Sequence, residues 1–351
     1  MFADFVRGAL LAGLLASALV TPASRGRSIL AVPNEDTTRL TAPGESRSEP
    51  RPGQPVQTEM RNVNYHASPW VTLNILKLRG EMQSKKPGRP PIFEDKGSFL
   101  LKIRSAEIGM SAESLSGLLN KHVFAYPGSP IEKVEVSIEP DRIIQKGVLR
   151  KALKIPFSIV GTVSVTPEGE LRVHPTSIRV AGVGVRGLMK IFGLRMGRLV
   201  KLEPDRGVRV AGNDMLLAPD RILPPPQIRG TVTRARLEPG RMVLIFDSPG
   251  EKPAPKLSPP DRSAPNFMYY EGGTLAFGRL TMKGTRLQIV DADPRDPFDF
   301  FLDHYNEQLV AGYDQNLPEG GLIVHMPDYG KLSKAGDARP RIASTAPKSR
   351  S

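Results

Sequence analysis

Four stretches of this sequence hold residue types at spacings that chemistry uses. In SIRVAGVGVRGLMKIFG, Gly182, Gly184 and Gly187 follow a strand-like run and open a helix-like one, with Glu203 and Asp205 downstream. That is much of a dinucleotide fingerprint, in which glycines let the backbone approach a pyrophosphate at a helix N-terminus. The preceding run alternates and carries Arg179, whereas a parallel strand buried on both faces should be apolar throughout. In VDADPRDPFDFFLD, Asp291, Asp293, Asp296, Asp299 and Asp303 are candidate cation ligands. A calcium loop needs an oxygen ligand at its fifth position and a glycine at its sixth; Arg295 and Asp296 stand there, and capping of a helix accounts for Asp296 and Asp299. GMSAE, from Gly109 to Glu113, lacks the second glycine of a nucleophile elbow and reads as a helix cap on Ser111. His66, His122, His174, His304 and His325 have no metal-ligand spacing, and the absence of cysteine excludes thiolate sites, disulfides and lipoprotein acylation. The expectation is a protein that is not an enzyme, with no metal and no cofactor.

The elements around these residues are mostly strands. ALKIPFSIVGTVSV puts Leu153, Ile155, Phe157, Ile159, Gly161, Val163 and Val165 on every second residue, the period of a half-buried strand. Val71 to Ile75, Phe99 to Ile103, Val134 to Ile138, Leu171 with Val173, Ile178 with Val180, Ile228 with Val232, and Val243 with Ile245 alternate in the same way. TPEGE (Thr166 to Glu170) and EPGR (Glu238 to Arg241) are Pro-Gly turns suited to hairpins, so an antiparallel meander is expected. Further strand-like runs are Leu275 to Met282 and Leu287 to Val290. Helices are predicted from Ser111 through AESLSGLLNKHVF, from Asp296 and Pro297 to near Gly312, and from Val185 to Val200. The last is amphipathic: Val185, Leu188, Met189, Phe192, Met196, Leu199 and Val200 share a stripe, and Arg186, Lys190, Arg195 and Arg198 lie on the other side.

Composition sets the wider frame. The N-terminus reads as Arg7, an apolar run from Gly8 to Val20 and then small residues, which is a secretory signal pattern too short for the about 20 residues of a membrane-spanning helix. Lys plus Arg 49 against Asp plus Glu 36 gives a net charge of +13. In an exported chain such a balance favours an anionic membrane surface over nucleic acid. The expected organisation is a signal peptide at 1–23, a disordered linker at 24–60 and a main β-rich domain at 61–247. A Pro-rich linker or insertion follows at 248–265, then further strands and a helix of the same domain at 266–330, and a disordered basic tail at 331–351. The expected location is outside the cytoplasm, in the bacterial periplasm or cell envelope.

An apolar face this long with few helices to cover it can close over acyl chains, while cations at the mouth meet phosphate. The lining expected from the sequence is Ile155, Phe157, Ile159, Val163, Val185, Leu188, Met189, Phe192, Met196 and Leu199, and the headgroup or membrane contacts are Arg186, Lys190, Arg195 and Arg198. The succession VTLNILKLRG, FLLKIRSAEI running into SAESLSGLLN, PFSIVGTVSV with the turn PEGELRV, and SIRVAG with the amphipathic helix and a final hairpin resembles the tubular lipid-binding superfamily. Its order of elements is most similar to the bacterial LmeA-like phospholipid-binding proteins, over about Pro69 to Phe246. The resemblance implies an α+β fold in which a long, highly twisted antiparallel sheet wraps around one or two helices and holds phospholipid or another acyl lipid in the groove; it transfers no site residue. Two rival readings stay open: a structural envelope module without a cavity that binds anionic cell-wall polymers, and a nucleotide-binding enzyme at GVGVRG.

Overall fold

The structure is a computed structural model and describes residues 53–150, 154–180, 207–251 and 254–332. The chain divides into two units, Met1–Arg47 and Ser48–Ser351, and all the described residues belong to the second. The helix predicted over Val185 to Val200 and the GVGVRG segment lie outside the described residues.

Three long strands, β1 (Val56–Ser68), β2 (Val71–Ser84) and β3 (Phe99–Ser111), share one construction. Each begins with its apolar residues on one parity and ends with them on the other. In β1 the buried set passes from Val56 and Met60 to Val63, Tyr65 and Ala67; in β2 from Val71, Leu73 and Ile75 to Leu78 and Met82; in β3 from Phe99, Leu101 and Ile103 to Ala106, Ile108 and Met110. A regular strand would turn half of these to water. Irregularities absorb the change of phase: Asn62 in β1 takes φ 50°, and the β2–β3 pairing shifts register between Ile75 and Lys77 and again between Arg79 and Gly80. Asn tolerates this left-handed conformation better than most residues. The opposite face is held by cross-strand ion pairs, Arg79 Nε to Glu59 Oε2 at 3.2 Å and Arg104 Nε to Glu81 Oε1 at 2.8 Å, which keep two buried carboxylates paired.

These strands belong to an eleven-stranded sheet. β3 also pairs with β10 (Gln227–Arg229) and with β12 (Arg241–Asp247), which forms a hairpin with β11 (Thr231–Glu238). A second, six-stranded sheet contains β4 (Ile131–Glu139), β5 (Arg142–Arg150), β6 (Lys154–Val165), β7 (Leu171–Val180), β8 (Val208–Ala211) and β9 (Asp214–Leu217), in the order β4-β5-β6-β7-β9-β8. Both Pro-Gly turns form as read from the sequence: Gly169 closes β6–β7 and Gly240 closes β11–β12, each at positive φ. One continuous hydrophobic core joins the two sheets.

Ser111 caps α1 (Ala112–Leu118), its Oγ accepting from the Ser114 N–H at 3.0 Å, and a π-helical turn, Leu119–Val123, continues it. Leu115, Leu118 and Leu119 are buried, as their shared face predicts. Gly117 lies against the β1–β2 turn: a Cβ there would stand 2.2 Å from the Trp70 carbonyl oxygen.

Residues 266–332 extend the large sheet. β13 (Phe267–Glu271) pairs with β1, β16 (Arg286–Asp291) with β13, β19 (Leu322–Met326) with β16, and β18 (Tyr313–Asn316) with β19 at the edge. β14 (Thr274–Phe277) and β15 (Leu280–Lys283) form a separate hairpin, so the run Leu275 to Met282 is two strands.

Four expectations need correction. The linker assigned to 24–60 ends too late, because Val56 to Met60 already form the start of β1. Asp296 and Pro297 do not open a helix. Phe298–Phe301 is strand β17, parallel to β1 in the place that β13 leaves free beyond Arg61, and the helix of this region, Tyr305–Ala311, starts only after it. Phe298 and Phe300 alternate with Asp299, and burying both rings against β1 outweighs the helix-start signal. The sheet is antiparallel in the main, but β1 with β17, β3 with β10 and β16 with β19 are parallel. Finally, Lys331 stands within the ordered structure, not in a basic tail.

Gly117→Ala is expected to cost about 1–3 kcal/mol of stability, read as a lower urea midpoint, because the added methyl collides with backbone that cannot rotate away. Trp70 is the chain's single tryptophan, so its emission should report displacement of the turn; an unchanged midpoint and spectrum would contradict the close approach.

Candidate functional site: a divided apolar cavity

Among the described residues, two apolar cavities lie in the core. The first, of about 40 Å³, is walled by Met110 of β3, Leu115 and Leu118 of α1, Val163 of β6, Leu217 of β9 and Leu244 of β12, so both sheets contribute. The second, of about 50 Å³, lies over β1–β3 and is walled by residues such as Leu73, Met82, Ile108 and Phe93. Leu73 and Met82, nine positions apart on one strand, reach the same cavity because the phase change in β2 keeps both on its inner face. Leu223 borders both cavities. It follows a short helix, α2 (Pro219–Ile222), and precedes Pro224, Pro225 and Pro226, and this segment connects β9 of one sheet to β10 of the other.

The walls are hydrocarbon, with few polar groups. Gln145 reaches the first cavity, and Tyr65 and Tyr270 the second. Burial pushes both phenols far above their ordinary pKa, with the charge of Asp303 adding at Tyr65 and Tyr65 itself adding at Tyr270, so both stay neutral. Among the described residues nothing ionic faces the cavities, which suits them to an apolar occupant.

Among the sequence-predicted lining residues on β6, Val163 borders the first cavity. Phe157 is buried but fills the space above Gly147, where a Cβ would meet its ring at 2.6 Å, and Ile155 and Ile159 are half-buried away from both cavities. Val185, Leu188, Met189, Phe192, Met196 and Leu199, and the cations Arg186, Lys190, Arg195 and Arg198, lie outside the described residues. Sequence reasoning missed the other described wall residues, from Leu73 and Met82 to Leu115 and Leu244, and Leu223 with its neighbours. A proline-rich run gives no periodicity by which to recognise a cavity wall.

Two polar constellations stand apart. His66 Nε2 lies 2.5 Å from Asp299 Oδ1 and its Nδ1 lies 3.1 Å from Thr72 Oγ1. In a neutral imidazole with Nε2–H donating to the carboxylate, Nδ1 accepts from the hydroxyl, the order of groups in a hydroxyl–imidazole–carboxylate relay; a protonated ring sets its charge against Asp299 instead. Tyr65 and Ala67 face the second cavity, so His66 between them faces the other side of β1, where Phe301 and Tyr329 flank its ring. The arrangement ties β17 to β1 and opens on neither cavity. Burial alone would raise the Asp299 carboxyl; the hydrogen bond and charge of His66, with the Gly330 N–H and Lys331, outweigh that and hold it below its ordinary range. Asp299 therefore binds His66 across strands and caps no helix.

The second constellation is Asp293, Asp296 and Asp328, whose carboxylate oxygens lie within 4.8 Å of one another. The Lys331 ammonium stands 2.8, 3.4 and 2.7 Å from them, taking the position that a cation would. Hydrogen bonds from Arg295 and then Lys331 hold the Asp293 carboxyl far down, while burial raises Asp291 beside it. Among the described residues no helix is long and apolar enough to cross a membrane. Comparisons with family models, curated proteins and solved structures give no match.

A carboxyl depressed by folding adds stability above its unfolded pKa of about 3.9, and that stability is lost as pH falls through the folded value. Asp299→Asn should cost about 1–3 kcal/mol at neutral pH, and the gap to the parent chain should narrow near pH about 3, as read from urea midpoints. An equal gap at both pH values would mean that the carboxylate charge contributes nothing.

Proposed function

We propose that this chain is a non-enzymatic cell-envelope protein that holds the acyl chain of a phospholipid or similar lipid between its two sheets. The observation that carries the reading is the pair of adjoining hydrocarbon-walled cavities on either side of Leu223. Apolar cavities of this kind stay dry and accept hydrocarbon, and each methylene transferred from water contributes about 0.8 kcal/mol.

At about 40 and 50 Å³ the cavities hold part of an acyl chain, so full occupancy requires the segment from Pro219 to Pro226 to move off the sheets. Its prolines donate no backbone hydrogen bonds, and the three-residue pairing of β10 with β3 is its tie to the large sheet. In this reading the long twisted sheet wraps around a helix as in tubular lipid-binding proteins. The stripe from Val185 to Leu199 then completes the apolar lining, and Arg186, Lys190, Arg195 and Arg198 meet headgroups or an anionic membrane surface. Export to the envelope is supported by the apolar run from Gly8 to Val20 and the small residues after it.

Leu223→Trp fills the junction of the two cavities. Uptake of a fluorescent fatty acid by the variant should fall at least tenfold with the far-ultraviolet spectrum unchanged, and lipid should be found by mass analysis of solvent extracts of the parent chain. No extracted lipid and equal uptake by the two chains would overturn the reading.

A further inference from the structure

At the start of β3, opposite the α1 end, a second surface is built from two segments distant in sequence. Ile92 bridges Ala276 in parallel, with Phe93 N–H donating to Ala276 O at 2.9 Å and Ala276 N–H to Pro91 O at 3.0 Å. The loop after β2 is thereby bridged to the edge of the β14–β15 hairpin. The bridge sets the segment that carries Lys85, Lys86 and Arg89 beside the hairpin that carries Arg279 and Lys283, and all five residues are exposed. None of the five forms an ion pair with a described residue, whereas Lys77, Arg79, Arg104 and Arg236 on the sheet are all paired. Glu94, Asp95 and Glu271 are the acids beside this surface, and Glu94 is engaged by the Gly278 N–H.

Aliphatic groups stand among the cations. Leu280 at the hairpin turn is 52% exposed and Ile92 is 37% exposed. Behind them Phe277, the cross-strand partner of Leu280, packs on Phe93 with ring centroids 5.2 Å apart, and Phe93 is a wall of the second cavity. The exposed leucine is thus two side chains from the cavity.

We infer that this surface docks on an anionic lipid bilayer, the five cations meeting headgroup phosphates while Leu280 and Ile92 enter the interface. The inference rests on the acyl-chain reading above and adds where the bilayer is met. Cations alone would suit any polyanion; exposed aliphatic side chains set among them, backed by a cavity wall, favour a lipid surface. Each cation near such a surface is worth about fivefold in binding.

The chain has no cysteine, so Leu280→Cys carries a single environment-sensitive label, with Asp141→Cys, 80% exposed at the β4–β5 turn, as the control. With vesicles of phosphatidylcholine containing phosphatidylglycerol, the label at 280 should shift to the blue and the label at 141 should not; with phosphatidylcholine alone neither should shift. Lys85→Gln, Lys86→Gln and Arg89→Gln together should weaken this binding about a hundredfold and leave fatty-acid uptake in vesicle-free solution unchanged. No shift at 280, an equal shift at both sites, or loss of poly-glutamate binding in the triple variant with vesicle binding intact would overturn the docking assignment. Failure of the parent chain to take up fatty acid would overturn the cavity reading instead, whatever the label at 280 does.

Discussion

The change of phase within β1, β2 and β3 is the constraint on which the rest depends. With a regular backbone these strands would turn the apolar residues of their second half to the opposite face, and no single core could bury both halves. Asn62 and the two register shifts between β2 and β3 return them to one face. The inner surface is then continuous hydrocarbon, and the outer one carries the paired charges of Glu59 with Arg79 and Glu81 with Arg104. The same site in β1 also divides its partners: β13 pairs with it up to Arg61 and β17 from Val63 onward. One residue with an unusual φ therefore separates an antiparallel neighbour from a parallel one.

What could be read in the sequence was local. The hairpin turns at Gly169 and Gly240 and the cap at Ser111 are set by residues a few positions apart, and they form as their types require. Pairings between distant segments could not be read in this way. Pro297 following Asp296 is a sound helix start in isolation, yet Phe298 and Phe300 are drawn into a strand because β1 has a free edge there. Composition misled at the start of β1, where Gln57, Thr58 and Glu59 look like the polar segment before them, although Thr58 and Glu59 are buried in the sheet.

The candidate site was less legible than the fold. Its walls come from both sheets, α1 and the segment after β9, and of the residues singled out on β6 only Val163 borders a cavity. A cavity is the space that several elements fail to fill, and alternation within any one strand carries no record of it. The alternation read over Val71 to Ile75 and Phe99 to Ile103 stops short of the parity change in β2 and β3, which marks the face over which the second cavity lies.

The segment that carries Leu223 is attached at one end to the small sheet, through β9 and β7, and at the other to the large sheet, through β10 and β3. A molecule wedged beneath it would load both attachments at once. In the proposed reading, the thickness of an acyl occupant would be converted into the spacing of the two layers, with this short proline-rich connection as the gauge.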